Sequence, residues 1–538
     1  MELLRERFIV SLYVIIVFSL TLIVTSLLSI ARIPYNWMSA ILIPGLLTLG
    51  WWSCQTASMA AAARSALEML LVFILFGIAL YFTRDYSYDG THYHLPATIA
   101  LKNGWNPFYE KTGGVWADHY PSGVWALRAL VFQITEKMDA GRILNIAFAF
   151  VSYNALVYYL AARRAALPGM AQKILALSCA ASPIVVAELL TNCVDAQVAS
   201  LFLTLVVCLM LSDDREIGAA ALAGAVAATV LLINVKMAGL YFAFFAIAAA
   251  LAGRWAQNAF SVRWLRSNIV QAGALFLGGV VAVFLVGYRP YVTNVLEHGS
   301  VVYPPVKEIL KGFYPSNLID AGQGTKFIYG VFSETGTRAL KWPWELHWRE
   351  LTKSDGFSGG GFGPLFGLEV LGAAALFGLG SYYALRMRRP LNSELLFASL
   401  MIIVCCAFFP EPWVARYIPV APVAVVLLAL SAEAALPRIA LWAFAGLVFV
   451  NLAPIAAKAM WSGYVVGRDV EQSMNKLKDA PGGSRVIIAA DGRGAWHGHF
   501  LQHLLIENGV SASFGKCETG ADVMALHPYV KPRICIAK

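Results

Sequence analysis

Apolar runs of roughly 18 to 24 residues recur along the chain, each long enough to cross a hydrocarbon layer as a helix. They fall near 8–30, 37–52, 65–83, 141–162, 172–190, 196–212, 217–234, 237–253, 267–287, 364–384, 393–409, 417–434 and 439–460. The pattern predicts an all-α polytopic membrane protein with about thirteen transmembrane helices. Three hydrophilic pieces interrupt it: the 84–140 loop, the 288–363 loop and everything from Trp461 onward. The expected organisation is therefore a transmembrane domain over 1–460 and a small domain over 461–538.

Within the first loop the spacing predicts amphipathic helices over Pro96–Asn103 and His119–Phe132, with a turn at Asn106-Pro107. Such helices lie on a membrane surface. The second loop is aromatic and rich in Gly and Pro, and its end, GFSGGGFGPLF (Gly356–Phe366), reads as a mobile segment. The tail reads as strand (Arg485–Asp491), helix (Ala495–Glu507), strand (Ser511–Phe514), short helix (Ala521–Leu526) and strand (Arg533–Ala537). That order describes a small α/β domain.

Composition agrees with the periodicity: 59% of the 538 residues are hydrophobic and 14% charged, and the mean hydropathy is +0.65. A soluble domain rarely reaches such values. The net charge of +9 does not call for a nucleic-acid partner. Much of the excess sits in short turns on one side: Arg5, Arg7, Arg64, Arg163, Arg164, Lys173, Arg215, Arg254, Arg263, Arg266, Arg386, Arg388, Arg389 and Arg438. Cytoplasmic connections retain Lys and Arg, so the amino terminus is expected in the cytoplasm and both long loops and the tail outside. The first run is long and lacks an A-x-A-like cleavage site, so it is expected to be retained. Of eight cysteines, six lie in or beside spans, while Cys517 and Cys535 lie in the exported tail, where an oxidising compartment permits pairing.

The chemistry concentrates at the outer ends of the spans. Asp85 and Asp89 open the first loop directly after an apolar run, followed by His92, Tyr93 and His94 and later by His119 and Tyr120. Asp195 stands at the entry to the sixth span, as an N-cap or as a second polar floor residue. Lys236 occupies a tight turn between two spans and Arg416 the start of a late one, both on the exported side, against the charge bias. They serve there either as headgroup anchors or as ligands of an anion. Arg289 and Lys341 are further cations of that side. For Asp85 a local cap or a pair with Arg84 is an equal reading, and His499 and His503 read as a solvated helix face rather than a metal site. Trp342, Trp344 and Trp348 are interfacial anchors or sugar-stacking rings.

Several patches together resemble the GT-C superfamily of integral membrane glycosyltransferases, which includes protein O-mannosyltransferases, the lipid A aminoarabinose transferase and oligosaccharyltransferases. DGTHYHLPATIALKNGWNP (Asp89–Pro107) is similar to the first-loop motif, although Gly90 stands where many members carry a second acid. TNCVDAQ around Asp195, VKMAG (Val235–Gly239), ARYIP (Ala415–Pro419) and TNVLEHGSVVYPP (Thr293–Pro305) resemble further short motifs. The resemblance implies transfer of a sugar from a polyprenyl-phosphate donor to an envelope glycan, lipid or protein on the periplasmic face of a bacterial inner membrane. It implies Asp89 as catalytic base with Asp85 and Asp195 in support. Lys236, Arg416 and Arg289 would hold the donor phosphate, and His92, Tyr93, His94, His119 and Tyr120 would line the substrate. No cofactor is implied beyond a divalent cation, Mg or Mn, which some members need. The alternatives are an oligosaccharide ligase or polymerase using a polyprenyl diphosphate, and a transporter of lipid-linked glycans without chemistry. The latter calls for charges and helix breaks in mid-span, whereas the polar residues here collect at span ends.

Overall fold

The computed structural model describes the chain except residues 35, 86, 164–168, 258–267, 306–307, 309–313, 353–358, 390, 479–484, 490–494, 518–521, 525–533 and 538. The described residues are mostly helical and include eight helices long and apolar enough to cross a bilayer, the make-up of a multi-pass membrane protein. Of five shorter apolar helices, four, among them Asp195–Leu211, Ser393–Ala407 and Ala421–Ala435, occupy other stretches expected to span, while Gly123–Thr135 belongs to the first long loop.

Burial sorts these helices into layers. Asp195–Leu211 is buried along nearly its whole length and packs against Gly218–Val235 and Ile143–Arg163. A helix apolar all round belongs in such a centre. Glu2–Ile30 packs across the last two. A Cβ at Gly224 would lie 2.6 Å from Leu12 Cδ2, so glycine leaves room there for the Leu12 side chain. On the outside, Met59–Tyr81 leaves Leu67, Leu70, Leu71, Ile74, Leu75 and Ile78 exposed, as surface covered by lipid chains would be.

Several expectations change. The run at 172–190 is not one helix: Met170–Ala180 ends, and a new helix starts at Pro183–Glu188. Ser182, directly before the proline, is extended (ψ 164°) because the Pro ring crowds a helical predecessor. The last helix does not stop near 460 but runs Arg438–Lys478, about 60 Å at 1.5 Å per residue and twice the thickness of a hydrocarbon layer. Its outer part buries Val466, Val470, Met474 and Leu477, a stripe at helical spacing. The glycine-rich segment is also not loose where it is described. Residues 353–358 lie outside the described set, but Gly360 pairs with Thr337, the Gly359 carbonyl accepts from the Ala415 amide at 2.8 Å, and Phe362 is fully buried.

The tail forms a four-stranded sheet of β1 (Arg485–Ala489), β2 (Ala512–Gly515), β3 (Asp522–Met524) and β4 (Ile534–Ala537) in the order β2-β1-β4-β3. β1 and β2 are parallel, joined through the helix Ala495–Glu507, while β4 runs antiparallel to both β1 and β3. Asp522–Met524 was expected to be helical and is a strand because its ladder to Ile534–Ile536 supplies the hydrogen bonds that so short a helix would lack. Cys517 and Cys535 are joined in a disulfide. Phe500, Leu501, Leu504 and Leu505 of the tail helix share one apolar cluster with Leu95 and Ile99 of the first loop and with the outer stripe of the last helix. The tail is thereby fastened to the first loop.

Leu504→Ala is expected to remove about 2–5 kcal/mol from this docking through lost burial and the cavity left behind. Limited proteolysis checks it: the tail of the variant is cut faster while the transmembrane part stays intact.

Candidate active site at one end of the bundle

The site is built around the turn that joins Pro183–Glu188 to Asp195–Leu211. Backbone carbonyls in this buried turn have no helical partner, and leaving them bare is costly. Side chains satisfy them. Arg128 donates to the carbonyls of Asn192 (2.6 Å) and Cys193 (3.2 Å), and Arg142 to that of Leu190 (2.7 Å). Asn145 Nδ2 donates to the carbonyls of Glu188 (2.8 Å) and Thr191 (3.0 Å). Glu188 Oε2 accepts from the Ala196 amide at 2.9 Å and caps the following helix.

That cap resolves the two readings of Asp195. Asp195 is the first residue of its helix rather than the cap, which is Val194, and its carboxylate accepts from Lys236 Nζ at 2.6 Å. Lys236 follows Val235 in an extended conformation between two helices and is buried rather than reaching for headgroups. Burial alone favours the neutral amine, but the Asp195 carboxylate outweighs it and keeps the ammonium charged.

A second ion pair lies beside the first. Arg416, in the turn Ala415–Tyr417, donates through Nη1 to Asp89 Oδ2. Tyr417 stands between the cations, its ring centroid 5.1 Å from Lys236 Nζ and 5.8 Å from Arg416 Cζ. Burial pushes the Asp89 carboxyl up, yet the charges of Arg416 and Lys236 prevail and hold it below the usual aspartate range. A depressed carboxyl contributes its pairing above the unfolded value and loses it only as pH falls through the folded one, so this pair persists at any pH above the ordinary aspartate range. The two pairs differ in access. Lys236 and Asp195 side chains are 9% and 5% exposed, whereas Arg416 and Asp89 are 26% and 18% exposed. The Lys236–Asp195 pair is the more buried of the two. The Arg416 Nε is buried and has no acceptor among the described residues.

Asp85 is engaged differently. Its Oδ1 accepts from the Ser87 amide (2.8 Å) and hydroxyl (2.7 Å), and its Oδ2 from the Asn192 amide (2.8 Å), fastening the first loop to the turn that carries Asp195. Burial raises its carboxyl above the ordinary value, against those bonds from Ser87. Gly90 follows from this tuck: a Cβ there would sit 1.9 Å from Asp85 Oδ2, so a second acid after Asp89 has no room. The expected Asp85–Arg84 pair is not formed among the ion pairs found; Arg84 bonds Asp139 at 2.9 Å.

Of the remaining candidates, His94 Nδ1 accepts from the Trp125 indole at 2.7 Å, which leaves any ring proton on Nε2. Burial, reinforced by Arg128, holds it neutral. Tyr93, Trp116 and Tyr120 form an aromatic wall with centroids 5.3–6.0 Å apart. His92 turns back to the Tyr88 carbonyl (2.8 Å) and stacks on the Tyr88 ring. His119 bonds Asn294 (2.8 Å) in the second loop. Arg289 and Lys341 are committed elsewhere. The former donates to the carbonyls of Pro107 (2.8 Å) and Glu110, the latter to Glu350 and the Pro364 carbonyl (2.8 Å). Trp342 and Trp344 stack on each other (5.4 Å) and, with Trp348, stay exposed. His503 contacts Asn103 Nδ2 (3.2 Å), and the His499 side chain lies outside the described set.

Arg128, Arg142, Asn145 and Glu188 were not singled out from the sequence. The available signal was a lone arginine, Arg128, inside the apolar stretch Gly123–Thr135. Asp89 and Asp195 each already have a cationic partner, Arg416 and Lys236 respectively, at one carboxylate oxygen. Among the described residues the one grouping of metal-ligating side chains is His119, Glu297 and His298. Comparison with protein-family models, curated proteins and solved structures finds no match.

Removing one partner of a buried ion pair strands the other, at a cost of about 3–5 kcal/mol. Asp195→Leu and Lys236→Met should each destabilise the protein on that scale, and the double variant by less than their sum. Thermal unfolding of the four proteins in detergent measures this coupling.

Proposed function

We propose that this chain is a glycosyltransferase of the GT-C type, with about thirteen spans, that takes its sugar from a polyprenyl phosphate. It acts at the periplasmic face of a bacterial inner membrane, on a glycan, lipid or protein acceptor, and inverts the anomeric carbon. The observation that carries this reading is the meeting of Asp89, Asp195, Lys236 and Arg416, from four separate stretches, in one cluster at helix ends. A transporter has no evident need for a partly open carboxylate held against a guanidinium beside an aromatic wall.

In the proposed reaction the bond from the anomeric carbon to the phosphate oxygen breaks as the acceptor oxygen attacks from the opposite face. The acceptor proton passes to Asp89, and the polyprenyl phosphate leaves with its charge steadied by Arg416 and Lys236. Arg416 has two roles in sequence. While it pairs with Asp89 the carboxylate is a poor base, because a cation alongside lowers its proton affinity. A donor phosphate offers the guanidinium a second acceptor, including for the buried Nε. As Arg416 turns to the phosphate, the proton affinity of Asp89 rises. The base is thus strengthened only when the donor is seated.

Purified protein should release sugar from one of a panel of polyprenyl-phosphate sugars, and Asp89→Asn should lower turnover by roughly 10²–10⁴-fold. The same variant should bind donor as well as or better than the parent, since the carboxylate no longer competes for Arg416. Arg416→Gln should weaken donor binding by about tenfold to a hundredfold. Full turnover by Asp89→Asn removes the base assignment; absence of release from every donor removes the enzyme.

A further inference from the structure

We propose that His119, Glu297 and His298 form a binding site for one zinc-class divalent cation, which ties the first long loop to the second. The proposal stands apart from the sugar-transfer reading and uses none of its residues in their assigned roles except His119.

His119 ends the short helix Val115–His119, and Glu297 and His298 end Thr293–His298. One ligand atom from each lies within 4.8 Å of the others, and His298 Nε2 is 3.8 Å from Glu297 Oε2. Around a tetrahedral zinc with bonds near 2.0–2.1 Å, ligand atoms stand roughly 3.3 Å apart. The adjustment falls to Glu297 and His298, whose side chains are 35% and 26% exposed.

The second observation is the orientation of His119. Asn294, fully buried, donates through Nδ2 to the carbonyls of His119 (3.2 Å) and Val301 (3.4 Å), so its Oδ1 is an acceptor. That oxygen is 2.8 Å from His119 Nδ1, which must therefore carry the proton. In the neutral ring Nε2 is left as a lone pair, the arrangement found where a second partner orients a metal-binding imidazole. His298 is held in plane by stacking on Tyr303 at 3.6 Å, with its ring 4.9 Å from that of His119.

Two imidazoles and one carboxylate suit zinc and its late first-row neighbours, whereas magnesium and calcium prefer oxygen donors throughout. Lys111 Nζ lies 2.7 Å from Glu297 Oε2 and competes for the carboxylate, but its side chain is 56% exposed and can swing into solvent. A bound cation would fix His119 and with it the adjoining Tyr120, part of the aromatic wall beside Asp89.

The test uses the full-length protein in detergent, its affinity tag removed and its metals stripped by a chelator. Zinc is then titrated against a chromogenic competitor. One zinc per chain is expected at sub-micromolar affinity, undisturbed by millimolar magnesium and accompanied by a rise in thermal stability. His298→Ala and Glu297→Gln should each weaken binding at least tenfold and abolish that rise. Lys111→Met should bind zinc as tightly or more tightly, and His503→Ala should match the parent. His298 is partly exposed, so its replacement leaves the fold in place, which the unfolding temperature without zinc verifies. Lack of stoichiometric zinc, or equal affinity in His298→Ala and Glu297→Gln, overturns the site. Zinc binding by a protein that releases no sugar would leave this site standing and remove only the enzyme.

Discussion

The end of the bundle that carries the acidic and basic cluster depends on satisfying an unwound, buried stretch of backbone. Between Glu188 and Asp195 the chain leaves one helix and enters another, and its carbonyls are met by the Arg128 and Arg142 guanidiniums and the Asn145 amide. Buried irregular backbone survives only when protein groups replace solvent. Once the turn is held, the position of Asp195 follows, and through the Asn192 amide so does that of Asp85 at the mouth of the first loop. Fixed positive charge here acts as scaffold.

Charge balance governs the next layer. Two acids and two bases meet within a few ångströms, and each acid takes one base. A net-neutral set limits the desolvation cost that a lone buried charge would carry. The Lys236–Asp195 pair is the more buried and the Asp89–Arg416 pair the more exposed; the proposed exchange of partners uses the second. An arriving dianion would find a guanidinium already oriented and a buried ammonium behind it, so little side-chain ordering remains to be done on binding.

Much of this was legible in the sequence, for a physical reason. Acids and bases at the ends of apolar runs are too costly to be idle, so Asp89, Asp195, Lys236 and Arg416 stood out before their neighbours were known. Hydropathy also located most helices, and the tail helix Ala495–Glu507 matches its expected bounds. What escaped was whatever depends on a distant partner. Arg128 and Arg142 look like misplaced charges until the carbonyls they meet are seen. The 521–526 stretch reads as helix from local propensity, yet Asp522–Met524 is claimed by the β4 ladder. Mean hydropathy falls beyond Trp461 even though the stripe Val466, Val470, Met474 and Leu477 continues the helix, since it buries one face against protein rather than lipid. Arg289 resembled its neighbours in charge and side, but charge alone does not tell whether a guanidinium is already occupied by carbonyls.

The unbroken course of Arg438–Lys478 also makes the last helix a gauge of angle as well as of length. One residue added to an α-helix turns everything beyond it by about 100°. An insertion between the lipid-crossing half and Val466 would therefore rotate the apolar stripe away from Leu95 and Ile99 and swing the tail off the first loop. The outward face of this segment can change its side chains freely, but its residue count is fixed by the registration of a rod between two docking partners.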